Sequence, residues 1–80
     1  MLNKKEYLQL KKDIKCFCRK NVVKLCDEME ISDIERTLLM DYYNGEMVQH
    51  TCMELGITAP TYNKYMRVLF SKINDYKNTQ

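Results

Sequence analysis

The sequence predicts an all-α fold, a small helical domain of about four helices. Its 80 residues include only two glycines and one proline, which are too few for the tight turns of a small β fold. Apolar residues recur at steps of three and four, the spacing of amphipathic helices. Because chains divide into separate cores only at much greater length, residues 1–80 are expected to form a single domain.

The first predicted element is a long amphipathic N-terminal helix over residues 3–29. The stretch contains no glycine and no proline, and most of its lysines fall opposite the apolar face. Its apolar residues are Tyr7, Leu10, Ile14, Phe17, Cys18, Val22, Leu25 and Met29. A soft break near Lys20-Asn21 would give two helices, but the uninterrupted run favours one.

A helix-turn-helix region is predicted over residues 31–74, and the helix that opens it has the clearest start signal. Ser32-Asp33-Ile34-Glu35 has the pattern of a capping box, in which a hydroxyl and a carboxylate satisfy each other's backbone N–H groups. Asn44-Gly45 supplies a stop signal. These signals predict a helix over residues 33–43.

Two further helices are predicted on either side of Gly56. The first begins with Glu46 in its first turn and places Met47, Val48, Cys52 and Leu55 on its apolar face. The second begins at Thr58-Ala59-Pro60, where threonine can cap and proline is tolerated. Residues 74–80 are expected to fray. The inward residues of this last helix are predicted to be Tyr62, Tyr65, Leu69, Phe70 and Ile73.

The segment from Val48 to Leu69 meets the physical requirements of a helix-turn-helix. Cys52 supplies a small residue where the two helices meet, and Gly56 allows the positive φ that the turn needs. Ile57 can then fill the hinge, and the hydroxyl of Thr58 can cap the second helix. The spacing therefore predicts a turn at Gly56 that joins two packed helices.

Residues 31–73 resemble region four of bacterial sigma factors, a promoter-reading module, and the related short phage regulators of transcription. The motifs that carry the resemblance are Ile31-Ser32-Asp33-Ile34-Glu35-Arg36, Leu39-Met40-Asp41-Tyr42-Tyr43, Glu54-Leu55-Gly56-Ile57-Thr58 and Val68-Leu69-Phe70-Ser71-Lys72-Ile73. The earlier regions of a sigma factor have no match in the chain, so the resemblance implies the isolated module.

The resemblance implies sequence-specific binding of double-stranded DNA and regulation of transcription. The second helix of the unit would lie in the major groove, and RNA polymerase would be a possible partner. The chain would bind either as a homodimer, through its long first helix, or as a monomer beside polymerase. The residues expected to face DNA are Thr58, Ala59, Thr61, Asn63, Lys64 and Arg67.

Charge is unevenly distributed along the chain and leaves a second function open. Residues 1–24 hold eight basic residues against two acidic ones, and residues 25–56 hold one basic residue against eight acidic ones. Basic segments at both ends suit a polyanion such as DNA. The acidic middle segment suits the alternative, a small helical module that binds RNA polymerase or another host protein without DNA.

Catalysis, metal binding and membrane insertion are not predicted. Cys16, Cys18, Cys26 and Cys52 lack the paired spacing of a zinc site, and we expect them to be reduced and mostly buried. His50 is expected on a helix surface, next to residues with which it cannot form a catalytic dyad. No cofactor motif, signal peptide or long apolar run is evident, which predicts a cytoplasmic protein that is not an enzyme.

Overall fold

Residues 2–78, which the computed structural model describes, form five α-helices and no strand. The all-α prediction is therefore confirmed, with one helix more than expected. The last helix continues through Asn78, so the predicted fraying from residue 74 is wrong up to that point; residues 79 and 80 lie outside the described residues. The helices are α1 (Lys4–Lys15), α2 (Arg19–Met29), α3 (Asp33–Tyr43), α4 (Val48–Leu55) and α5 (Ala59–Asn78).

The single N-terminal helix predicted over residues 3–29 is wrong, because the chain breaks between α1 and α2. Cys18 has an extended backbone, with φ −74° and ψ 154°, at the start of α2. The carbonyl oxygen of Phe17 accepts a hydrogen bond from the Tyr43 hydroxyl 2.5 Å away. A hydrogen bond from a side chain of α3 thus replaces the one that this carbonyl oxygen would accept within a continuous helix. The Phe17 side chain packs against the core.

The core forms around α5, which packs against α1, α3 and α4. Phe70 lies at its centre, fully buried, with edge-on contacts to Tyr7 at 5.6 Å and Tyr42 at 5.9 Å between ring centroids. Aromatic pairs favour this edge-to-face geometry. The rings join α1 and α3 to α5.

The capping box of α3 is confirmed, and its Glu35 also forms an ion pair with the exposed Lys72. The backbone N–H of Glu35 donates to the Ser32 hydroxyl, and Lys72 Nζ lies 2.9 Å from a Glu35 carboxylate oxygen. Burial acts to raise the pKa of Glu35, but the hydrogen bonds from Lys72 and Ser32 outweigh it and hold the pKa below its usual value. Glu35 therefore both caps the N-terminus of α3 and links α3 to α5 through Lys72.

Two predicted inward faces need correction. The start at Glu46 predicted for the third helix is wrong: the corresponding helix, α4, begins at Val48, and both Met47 and Val48 are exposed. In α5, Tyr65 is 37% exposed and Met66 is fully buried instead. From Tyr62, buried positions of α5 follow at steps of four, three and four residues, which match the helical period. Residue 65, three positions after Tyr62, lies off this buried face.

The cysteines divide into two groups, which corrects the expectation that most are buried. Cys26 and Cys52 are buried, whereas Cys16 and Cys18 are exposed beside the break between α1 and α2. All four are free thiols. Burial raises the pKa of the Cys26 thiol, as expected of an unreactive cysteine in a core.

Candidate functional site

The connection between α4 and α5 depends on the backbone conformation of Gly56. Its φ is +67° and its ψ is 36°, and its N–H donates to the carbonyl oxygen of Cys52. A side-chain carbon added at Gly56 would meet no atom within 4 Å. The position therefore favours glycine because of its left-handed conformation and not for lack of space. The positive φ predicted from the sequence is confirmed.

The two residues after Gly56 occupy the positions expected of a hinge and a cap. Ile57 is half-buried and packs against the core. Thr58 lies directly before α5, and its carbonyl oxygen accepts the N–H of Tyr62 at 2.9 Å. The Thr58 hydroxyl donates to the hydroxyl of Thr61 3.1 Å away. The Thr58 hydroxyl thus contacts the first turn of α5 through Thr61, and its capping of a backbone N–H stays a prediction.

The side chains predicted to face DNA lie together on the first half of α5 and directly before it. Thr58, Ala59, Asn63, Lys64 and Arg67 are exposed, and Thr61 is half-buried. The opposite side of the same helix is filled by Tyr62, Met66 and Leu69, which are buried. Among residues 2–78, no carboxylate lies within ion-pair distance of Lys64 or Arg67. This face of α5 therefore presents uncompensated positive charge to solvent.

Helix α1 borders this face, which sequence reasoning did not predict. A groove of about 560 Å³ is lined on one side by Lys11 and Lys15 of α1 and on the other by Asn63 of α5. The start of α4, residues 47–49, lines the same groove. Arg67 lies against the other end of α1, where it lines a small recess with Lys4 and Tyr7. Basic residues of α1 thus line two recesses together with residues on the exposed face of α5.

The two groove lysines converge on Tyr42. Lys11 Nζ lies 5.0 Å and Lys15 Nζ 4.5 Å from the centroid of its ring. Lys15 Nζ also donates to the Tyr42 carbonyl oxygen at the end of α3, 2.5 Å away. Burial, followed by repulsion from Lys15, lowers the pKa of Lys11. Both ammonium groups therefore contact the same tyrosine ring through cation–π interactions.

A second polar cluster joins α3 to α4. Asp41, His50 and Glu54 hold their ligand atoms within 4.8 Å of one another, and Asp41 accepts a hydrogen bond from the buried Thr51 hydroxyl at 3.0 Å. The carboxyl of Asp41, through a shared hydrogen bond and through its charge, raises the pKa of Glu54. Two carboxylates and an imidazole are residues that could hold a divalent cation.

Sequence reasoning missed this cluster, although His50 is exposed on the surface of α4 as predicted. Its one sequence signal was the four-residue spacing of His50 and Glu54, which places both on one helix face. The expected absence of metal stays a prediction.

No protein-family model matches the chain, and no curated protein or solved structure is significantly similar to it. The resemblance to region four of sigma factors therefore rests on the quoted motifs alone. Within residues 2–78, none of the helices combines the length and the apolar composition needed to cross a membrane.

Proposed function

We propose that the protein binds double-stranded DNA sequence-specifically, through a helix-turn-helix formed by α4 and α5, and regulates transcription. One observation carries the proposal. Directly after the left-handed glycine turn, α5 presents Asn63, Lys64 and Arg67 to solvent on the side opposite the core. A recognition helix needs this arrangement, because one side must pack while the other reaches base edges and phosphates.

The chemistry of these side chains assigns a role to each. Asn63 can form paired hydrogen bonds with adenine, and Arg67 can do so with guanine or bind a phosphate. Lys64 suits a phosphate, as does the Thr61 hydroxyl, whose methyl group can also contact thymine. Within this proposal, Asn63 and Arg67 supply the specificity and Lys64 supplies affinity for any sequence.

Three of the eight carboxylates of the acidic middle segment pair with a lysine or an arginine of the described residues, which is compatible with DNA binding. Glu35 is held by Lys72, and Asp27 lies 2.7 Å from the guanidinium of Arg36. Glu28 lies 3.8 Å from the ammonium group of Lys24. The internal partners partly neutralise these carboxylates. Their negative charge therefore opposes less the attraction of phosphates to the basic face of α5.

Selection of bound sequences from a random pool of duplexes tests the proposal. A recovered consensus supports specific DNA binding, and its symmetry reports the binding state. A palindrome indicates a homodimer, whereas a single half-site indicates a monomer, such as one held beside RNA polymerase. Recovery of no consensus, together with no duplex binding at low salt, would contradict the proposal.

A second candidate function is binding to a protein partner, such as RNA polymerase, without DNA. The observation that favours it is the exposure of apolar side chains on and beside α4: Met47 is 69%, Val48 is 43% and Met53 is 84% exposed. Exposed methionines adapt to varied partner surfaces. The two candidates differ in salt response, because the DNA affinity alone must fall by about one power of salt concentration per phosphate neutralised.

A further inference from the structure

We infer that Lys11 and Lys15, together with the start of α4, form a binding site for one phosphate of the DNA backbone. This inference rests on the proposed function and extends it to a part of the chain outside the helix-turn-helix. The site lies in the groove that Asn63 borders. It would bind any DNA sequence, because phosphates carry no sequence information.

The ammonium groups of Lys11 and Lys15 contact the same tyrosine ring. Both lie within about 5 Å of the Tyr42 ring centroid, and no carboxylate within residues 2–78 forms an ion pair with either. The lowered pKa of Lys11 reflects burial and the repulsion between these like charges. An anion bound in the groove that both lysines line would reduce that repulsion, which suits the pair to a phosphate.

The N-terminus of α4 lines the same groove. Met47 precedes the helix and provides no side-chain hydrogen bond to its first N–H groups. Uncapped N–H groups and the positive end of the helix dipole attract anions. Glu46 also lines the groove, and its carboxylate lies 3.9 Å from His50 Nε2. Two ammonium groups and an uncapped helix start therefore meet at one place.

The groove lies next to Asn63, which is proposed to contact a base. A helix in the major groove, which is about 12 Å wide, has a phosphate backbone along each side. When Asn63 faces a base edge, the groove next to it faces one of these backbones. The lysine pair is therefore placed where a phosphate of the DNA would lie. Binding of that phosphate would fix how deeply α5 enters the major groove and which bases it faces.

The test compares two double variants that remove the same charge from α1. The double variant Lys11→Met with Lys15→Met removes both ammonium groups from the proposed site and keeps apolar side chains over the Tyr42 ring. Lys5→Met with Lys12→Met is the matched control, since both lysines are exposed and neither lines the groove. Fluorescence anisotropy measures the affinity of each variant for a labelled random-sequence 20-base-pair duplex over a range of salt concentrations. Circular dichroism checks that both variants fold.

We expect the groove variant to lose about tenfold or more in affinity and its salt dependence to fall by about one phosphate. The control should lose less than about threefold. Equal losses in the two variants, or an unchanged affinity in the groove variant, would overturn this site and leave the proposed function standing. If the parent protein binds no duplex at low salt, both the proposed function and this site are wrong.

Discussion

The Tyr43 hydroxyl donates a hydrogen bond to the carbonyl oxygen of Phe17, 2.5 Å away, and so ties the end of α3 to the break between α1 and α2. The two residues are separated by 26 positions in the chain. This contact satisfies a carbonyl group that would otherwise have bonded within a continuous helix. The break is thus a tertiary feature and not a local one.

Tyr43→Phe should lower the free energy of unfolding by about 1–3 kcal/mol, because it leaves the half-buried Phe17 carbonyl without its donor. Urea denaturation measures the change. Tyr65→Phe is the matched control, since Tyr65 is 37% exposed and its loss of a hydroxyl should change stability by less than about 0.5 kcal/mol. Equal effects of the two substitutions would show that the Tyr43 hydrogen bond does not stabilise the break.

The turn before α5 gives a second prediction. Gly56→Val should cost about 1–3 kcal/mol, because a β-branched residue is strained at φ +67° even though the surrounding space is open. Gly56→Asn should cost less, since asparagine tolerates this conformation. Thermal melts of the two variants measure the difference. If valine and asparagine cost the same, backbone strain does not explain the glycine.

Glu30 is the residue at which a substitution should stabilise the protein. It ends α2 in the left-handed conformation, with φ 53°, and it is the one non-glycine residue with positive φ among residues 2–78. Glu30→Gly should raise stability by about 0.5–1 kcal/mol by removing that strain. Glu30→Ala separates loss of the carboxylate from relief of strain and should give no such gain. Chemical denaturation of both variants decides the matter.

Features of the fold that short-range chemistry determines could be predicted from the sequence, whereas features that depend on distant contacts could not. The capping box of Ser32 and Glu35 and the turn at Gly56 were predictable because short-range backbone chemistry determines both. The break at Phe17 was not, because no glycine or proline marks it and its partner Tyr43 is distant in the chain. The same distinction applies to the candidate site. The helical period predicts that Asn63 points outward, whereas the position of Lys11 beside it depends on how α1 packs in the fold.

The carboxyl pair of Glu54 and Asp41 predicts a dependence of stability on pH. The pKa of Glu54 is raised in the folded protein, so the folded state holds a proton more tightly than the unfolded chain. The associated stability is therefore present at low pH and is lost as pH rises through the window above the ordinary value of 4.5. Glu54→Gln removes the repulsion and should make the protein more stable than the parent at pH 8.

Thermal melts of the parent and of Glu54→Gln from pH 3 to pH 8 measure this effect. The difference between them should shrink towards pH 3, where Glu54 of the parent is protonated and therefore as neutral as the glutamine of the variant. Asp41→Asn with Glu54→Gln serves as the control and should show little further gain. A stabilisation by Glu54→Gln that is the same at pH 3 and pH 8 would contradict the role of charge repulsion.

The central claim, that α5 reads the major groove, is tested most directly by the affinities of Arg67→Ala and Lys64→Ala for two duplexes. One duplex carries the consensus recovered by selection, and the other carries the same bases in scrambled order. Arg67→Ala should weaken binding to the consensus by about 1–3 kcal/mol and change binding to the scrambled duplex much less. Lys64→Ala should weaken both alike and lower the salt dependence by about one phosphate. A fully folded Arg67→Ala variant that discriminates between the two duplexes as well as the parent does would contradict the claim.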